Sequence, residues 1–385
     1  MFIFKPVSTR FLFTKPRIAI VSVINDLATD HRVQKTCFVL KDCGYEVVLH
    51  GRLLKNSLPL PAWPFRAQRA RLLFTKGPLF YFFYNLRLFF FLLFSKSHLL
   101  YANDLDTLPA NYLVSRLKKI PLIYDSHELF CDVPELLKTP LKRKIWQRIE
   151  SYTVPKLKFC VTVNESIARI FTQKYGVPFL SVRNIPDLPE TLKPKSKTEL
   201  GLSEFTYVLI VQGTGLNMDR GLEELIQSMS DIENTVLLII GSGDNWNELI
   251  VLSQSLRLEN KIRFIPKLPR NLLLQYTCSA DLGLSLDKNT NPNYYYSLPN
   301  KVFDYIHCGI PILASRMPEI ENVLMSYQVG AFIDTHQPQH IAEKIKKLLG
   351  SKELETYRAN TFKAKVALSW ELEKQKLRAL VDGID

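Results

Sequence analysis

The chain has 385 residues, 46% hydrophobic and 23% charged, a balance that excludes a disordered or fibrous class, and a length that suits two domains better than one core. Its net charge is +13 and the excess is local: Lys and Arg outnumber Asp and Glu by 31 to 15 in residues 1–200, and trail them by 19 to 22 in residues 201–385. No recognition motif accompanies the basic half, so nucleic acid is not an expected partner; such a surface suits anionic headgroups or a pyrophosphate-bearing substrate, or is a solvated face over a buried helix.

The opening segment, MFIFKPVSTRFLFTKPR, has no unbroken apolar core and no small-residue cleavage site. No secretory signal is expected, and the product is placed in the cytoplasm, peripheral to the inner membrane face if it touches lipid. The six cysteines are scattered without a C-x-x-C pair, which reads as buried thiols and not as disulfides or zinc ligands. RIAIVSV (17–23) reads as a strand, INDLATDHR as a polar loop, the stretch to Gly44 as an amphipathic helix and YEVVLHGR (45–52) as a second strand. That β-loop-α-β unit belongs in a parallel sheet. Residues 51–100 hold eight basic side chains and no acidic one around the aromatic run GPLFYFFYNLRLFFFLLFSK. Leu79 to Phe94 is short for a span and carries Asn85 and Arg87 near its centre, so it reads as a helix buried against the first domain or lying on a membrane. Further strands are predicted at 98–104, 121–126, 159–164 and 179–184. Each ends on a polar residue, Asn103 with Asp104, Asp125, Asn164 and Asn184, at the strand ends where open α/β sheets bind ligands.

IPDLPETLKPKSKTELGLS (185–203) is rich in proline and charge and reads as a linker. A second alternation follows: YVLIVQGTG, a helix from Arg220, TVLLIIGSGD, KIRFIPKL, ADLGLSL, a helix from Asn300, and IPILAS. VALSWELEKQKLRALV (366–381) reads as one amphipathic helix packing back across the domain junction. The expected class is α/β, two Rossmann-like domains with a deep interdomain cleft, divided as 1–184, 185–360 and a final helical segment 361–385.

Four segments could carry chemistry. IYDSHELF (123–130) lacks the further ligands a zinc site needs, and His127 has no H-E-x-x-H partner. Asp125, Ser126 and His127 are too close in sequence to presume a hydrolytic triad, which leaves a helix cap by Asp125 or Ser126 beside an incidental histidine. VQGTGLNMDRGLEELI (211–226) sets Gly213 and Gly215 after a strand and Arg220 before a helix, an arrangement that suits a diphosphate and equally suits a plain βα turn. Gly241 and Gly243 repeat it in IIGSGD. In SLPNKVFDYIHCGIPILAS (297–315), Lys301 and Asp304 share one face near a helix start. There the carboxylate could take both hydroxyls of a ribose while the lysine and helix end face phosphate; the alternative is that Asp304 simply complements the helix dipole.

The ordered set of these segments, with DHRVQKTCFVLKDCGYEVVLHGR, YANDLDTLPANYL and LIYDSHELF before them, resembles the retaining GT-B glycosyltransferases of the glycosyltransferase 4 group, in particular bacterial surface-polysaccharide transferases, over roughly residues 17–375. The resemblance implies a nucleotide-sugar donor held mainly by the second domain, a glycan or polyprenyl-pyrophosphate-linked acceptor held mainly by the first, no metal and no cofactor. Carried onto this chain, it implies His127 facing the donor sugar, with Arg220 and Lys301 on the diphosphate. Donor contacts are implied from Gly213, Thr214, Gly215, Gly241, Gly243, Pro266, Leu298, Pro299, Asn300 and Asp304. Acceptor-side candidates are Asn25, Asp26, His31, Asn103, Asp104, Asp125 and Glu128. The chain departs from the pattern at three places: Tyr296 stands at the first acidic position of the E-x7-E element, Thr214 at the first basic position, and Arg316 with Met317 at a glycine pair that precedes Pro318 and Glu319. Lys301 is then the substitute for the missing charge, and backbone amides around Leu298 to Asn300 take part of the missing acidic role. Other expectations on this scaffold are a nucleotide-sugar 2-epimerase and a non-catalytic nucleotide-sugar-binding protein.

Overall fold

The computed structural model describes residues 17–55, 57–187 and 192–384; the opening segment 1–16 and residues 188–191 of the linker lie outside them. Thirteen strands among the described residues form two sheets. The first holds β1 (Arg17–Asp26), β2 (Tyr45–Arg52), β3 (Arg66–Ala70), β4 (Leu99–Asn103), β5 (Leu122–Ser126), β6 (Phe159–Thr162) and β7 (Phe179–Ser181). The second holds β8 (Tyr207–Gly213), β9 (Thr235–Gly241), β10 (Ile262–Pro266), β11 (Leu282–Ser285), β12 (Ile312–Ser315) and β13 (Gly330–Ile333).

The strand order is β3-β2-β1-β4-β5-β6-β7 in one sheet and β10-β9-β8-β11-β12-β13 in the other. Pairing runs parallel from β1 to β2 and β4, from β4 to β5, and from β8 to β9 and β11. Both are Rossmann-like sheets. In each the order reverses beside its first strand, between β1 and β4 and between β8 and β11, and the loops leaving those strands flank the crevice where doubly wound sheets take ligands.

Burial on both faces explains the unbroken apolar runs. In β8 and β9, Val208, Ile210, Val236, Leu238 and Ile240 enter one core, while Leu209, Val211, Leu237 and Ile239 enter the other. Successive side chains of a strand point to opposite faces, so such a strand has no polar side to show. Helix ends are set by local chemistry: Asp30 caps His31–Asp42 and Asn164 caps Glu165–Tyr175, which Gly176 ends in the left-handed conformation.

Two strands escape sequence reading. β3, RAQRA, is a polar edge strand, and β13 is four residues long. The final segment is two helices, Lys352–Ala367 and Trp370–Asp382, not one running through 366–381. Leu368 breaks it: its backbone, at φ −104° and ψ 71°, is not helical while its side chain is buried in the core of the second sheet. By compactness, residues through Asp125 with Leu157–Phe159 and the end from Arg378 form one unit, and Ser126–Lys156 with Cys160–Leu377 form the other. Sheet membership instead changes between Ser181 and Tyr207.

Candidate functional site

In the second unit, the crevice beside β8 and β11 holds a buried ionic cluster. Asp287, two residues past the end of β11 and 1% exposed, accepts from Arg220 Nη1 at 3.0 Å and lies 3.5 Å from Lys301 Nζ. Ser285 Oγ adds a bond at 3.4 Å. Burial by itself would raise the Asp287 carboxyl, but Lys301 and then Arg220 outweigh it and hold the group below the usual carboxylate range. Lys301 is lowered by burial against the pull of Asp287.

Two cations on one carboxylate leave one positive charge in excess. Lys301 also sits in the first turn of the helix Asn300–His307, where the macrodipole disfavours a cation and favours an anion. Arg220 lies over the Tyr294 ring, 3.9 Å from its centroid, and its buried Nε has no partner among the described residues. An uncompensated charge, a cation at the wrong helix end and an unused donor all suit a ligand phosphate. The structure thus brings Arg220 and Lys301, 81 positions apart in the chain, onto one carboxylate that sequence reading missed. The available signal for Asp287 was its place just past a strand's carboxyl end.

The glycines have different reasons to be glycine. A Cβ on Gly241 would meet Gly213 O at 1.7 Å, and one on Gly243 would meet Leu216 O at 2.0 Å. The loops after β8 and β9 are zipped together by Ser242 N to Gly213 O and Leu216 N to Ser242 O, so these two are required by packing. At Gly221, where φ is +71°, a Cβ would come within 2.2 Å of Leu286 O, so only glycine allows the backbone its course beside Arg220. Gly215 has nothing within 4 Å and is exposed with Thr214, leaving open backbone for an approaching group.

Asp304 sits deeper in the same helix than a free ribose contact requires. Its carboxylate is 4% exposed and accepts from Gln212 Nε2 and Arg270 Nη2, both at 2.8 Å. Thr277 Oγ1 donates to Gln212 Oε1 at 2.7 Å, extending the network. Arg270, which opens the helix Arg270–Cys278, is a second residue that sequence reading missed; its signal was Pro269 before a helix start. Pro266 ends β10 and is exposed, Leu298 and Pro299 are half-buried, and Asn300 is exposed at the start of its helix.

His127 is half-buried and belongs, with Glu128, to the same compact unit as Arg220. Asn293, in the short helix Pro292–Tyr295, accepts from Leu129 N and donates to Glu128 Oε2, each at 3.0 Å. The next residue, Tyr294, is the ring beneath Arg220, so one helical turn ties the histidine-bearing loop to the cationic cluster. Tyr296 gives its backbone oxygen to Asn164 Nδ2 at 2.8 Å.

In the first unit, Asp125 is committed to structure: Arg32 grips it through Nη2 at 2.7 Å and Nε at 3.1 Å, and Tyr101 OH donates at 2.9 Å. Burial would lower the Arg32 pKa, but Asp125 outweighs it and the net shift is upward. Asn103 is buried and donates to Ser22 O, while Asp104 follows in the left-handed conformation at φ +59°. Asn25 donates to Asp30, Asp26 accepts from Ala28 N, and His31 is exposed at the first position of its helix.

Residues 193–364 match the family described as glycosyl transferases group 1. Over 242 residues the chain is 21% identical to a chitobiosyldiphosphodolichol beta-mannosyltransferase of Candida albicans, a match covering 58% of this chain and 52% of that one. It thus spans about half the length of that relative. Sucrose-phosphate synthase from Thermosynechococcus elongatus superposes with a TM-score of 0.79 at 14% identity, over 95% of this chain and 98% of that one. The Anabaena protein HepE, solved with UDP and glucose, gives 0.73 at 13% identity, over 95% and 100%. The fold is GT-B. Within this GT-B chain, Arg220, Asp287, Lys301, Arg270 and Asp304 all fall in the segment matched by the family.

Proposed function

We propose that the protein is a glycosyltransferase that moves a sugar from a nucleoside-diphosphate sugar to a lipid-linked glycan acceptor of the cell envelope, working at the inner face of the cytoplasmic membrane. The observation that carries this reading is the Arg220–Asp287–Lys301 cluster, one positive charge in excess at the crevice of the second sheet. Departure of a nucleoside diphosphate builds negative charge on its phosphates, and a preorganised cationic site at a helix amino end stabilises that charge where it forms. Support for a nucleotide donor comes from the group 1 family match and from the shared fold with the UDP-bound HepE. Support for a lipid diphosphate acceptor comes from the name of the Candida relative.

Transfer proceeds with retention in this reading: the released phosphate oxygen takes the acceptor's proton on the face it leaves, so no enzymic carboxylate attacks. Asp287 fits that role as a charge partner, since both its cations occupy it. His127 hydrogen-bonds a sugar hydroxyl and orders the loop that Asn293 anchors.

Binding of UDP, GDP, dTDP and ADP sugars, measured by calorimetry, should single out one base. Arg220→Ala should lower turnover of that donor by about 100-fold or more. Wild-type turnover in Arg220→Ala would sink the assignment. Release of an altered nucleotide sugar from donor alone would indicate an epimerase, and an inverted anomeric centre in the product, read by NMR, would remove the retention step.

A further inference from the structure

In the first unit, the helix Gly77–Phe94 is long and apolar enough to cross a membrane by length and composition, yet it is built into the protein along one stripe. Phe80, Tyr84, Leu88 and Leu92 are buried, and Tyr84 OH donates to Val23 O. Leu79, Phe82, Phe83, Leu86, Phe90 and Phe94 are exposed, Phe94 to 81%. At 100° per residue these six fall within an arc of roughly 120° opposite the buried stripe. Arg66, Arg71, Lys76, Arg87 and Lys96 are exposed around it, in a stretch of the chain without an acidic residue.

Between this helix and the edge strand β3 lies a cavity of about 460 Å³, lined by His50, Arg69, Arg87, Phe90, Phe91 and Phe94 among others. His50 is 4% exposed, stacks on Phe91 at 4.5 Å, and its Nδ1 is buried without a partner among the described residues. Arg69 donates to Leu58 O and Arg87 to Arg71 O, each through Nη1, which fixes both stems while leaving further donors on each fork. Asp26 lies 3.8 Å from Arg69 and offsets part of its charge.

We propose that this cavity is a binding site for the phosphate of an anionic membrane phospholipid. Arg69, Arg87 and the His50 ring take the phosphate; Phe90 and Phe94 take the first part of an acyl chain; the exposed aromatic arc lies in the bilayer interface. Charge complementarity decides the occupant, since the apolar arc continues into a cavity with two guanidinium groups and an unused ring nitrogen. This rests on the membrane part of the function proposed above and not on its chemistry.

The test uses the full chain, with dihexanoyl phosphatidylglycerol held below its micelle concentration as probe. Calorimetry should give one saturable site, weakened at least tenfold in the double variant Arg69→Gln/Arg87→Gln and little changed in Lys55→Gln/Lys76→Gln. The protein should float with phosphatidylglycerol vesicles and not with phosphatidylcholine vesicles, and Phe90→Ser/Phe94→Ser should lose flotation. No saturable binding, equal loss in the lysine variant, or inorganic phosphate binding as tightly as the lipid would overturn the proposal. Thermal melts of each variant monitor folding, and His50→Gln, which keeps a donor, should retain part of the lipid affinity where the arginine pair fails through misfolding. Nucleotide-sugar binding on the same preparations separates failure of this site from failure of the transferase reading.

Discussion

Removing the Asp304 carboxylate would take the acceptor from Gln212 Nε2 and leave Arg270 only the Asp187 backbone oxygen, at 3.2 Å. With Asp304 6% and Arg270 31% exposed at the side chain, Asp304→Ala should lower stability by about 2 kcal/mol, less than a fully buried pair would lose. If the carboxylate also takes a ribose, the same variant loses nucleotide binding, whereas Arg270→Gln lowers the denaturation midpoint and keeps binding. Equal loss of binding in both variants would mean that Asp304 acts only by holding Arg270. Arg220 and Lys301 were legible from their chain neighbours, a glycine turn and a helix start. Asp287, Arg270 and Asn293 were not, because their partners lie 67, 34 and 165 positions away and no local pattern encodes a contact of that span.

At the scale of an element, the glycine turns separate packing from binding. Gly221→Ala forces a Cβ against Leu286 O at a positive φ, and Gly241→Ala forces one against Gly213 O. Both should melt at lower temperature and lose nucleotide affinity together. Gly215→Ala has open space and should keep the wild-type melting temperature. A drop in nucleotide affinity in that variant alone would mark the turn as a contact, and unchanged affinity would leave it a plain βα turn. Sequence periodicity found the strands that are buried on both faces. It passed over β3, whose alternating exposed residues are polar, because an edge strand of that composition has no apolar signature to detect.

At the scale of the whole molecule, stability depends on pH through groups in both units. Burial, with Arg87 adding to it, lowers the His50 pKa from 6.5 to about 4. Its unfolded form takes up a proton first, so the His50 contribution to stability is fully present above about pH 6.5 and is lost as pH drops toward 4, by roughly 3 kcal/mol in total. Asp287, also depressed, adds a loss that begins only below the unfolded carboxylate value. Denaturation midpoints at pH 7.5, 5.5 and 4 should show the upper limb in the wild type and a flatter one in His50→Gln. An equal fall in both would assign the limb to other groups.

The alternation of the strands buried on both faces with helices, the two-domain α/β class, the concentration of basic charge in the first half and the loop–helix starts bearing Arg220 and Lys301 follow from the sequence alone, since propensity, periodicity and charge are local properties; β3, β13 and the break at Leu368 do not. The tertiary structure decided what those residues meet. It set Asp287 between two cations, gave Asp304 an arginine, committed Asp125 to Arg32 and tied the IYDSHELF loop to Asn293, the neighbour of the ring under Arg220. Each of those contacts needs the parallel crossovers to close first, and the free energy of a buried charge depends on a partner that the chain supplies only once it is folded.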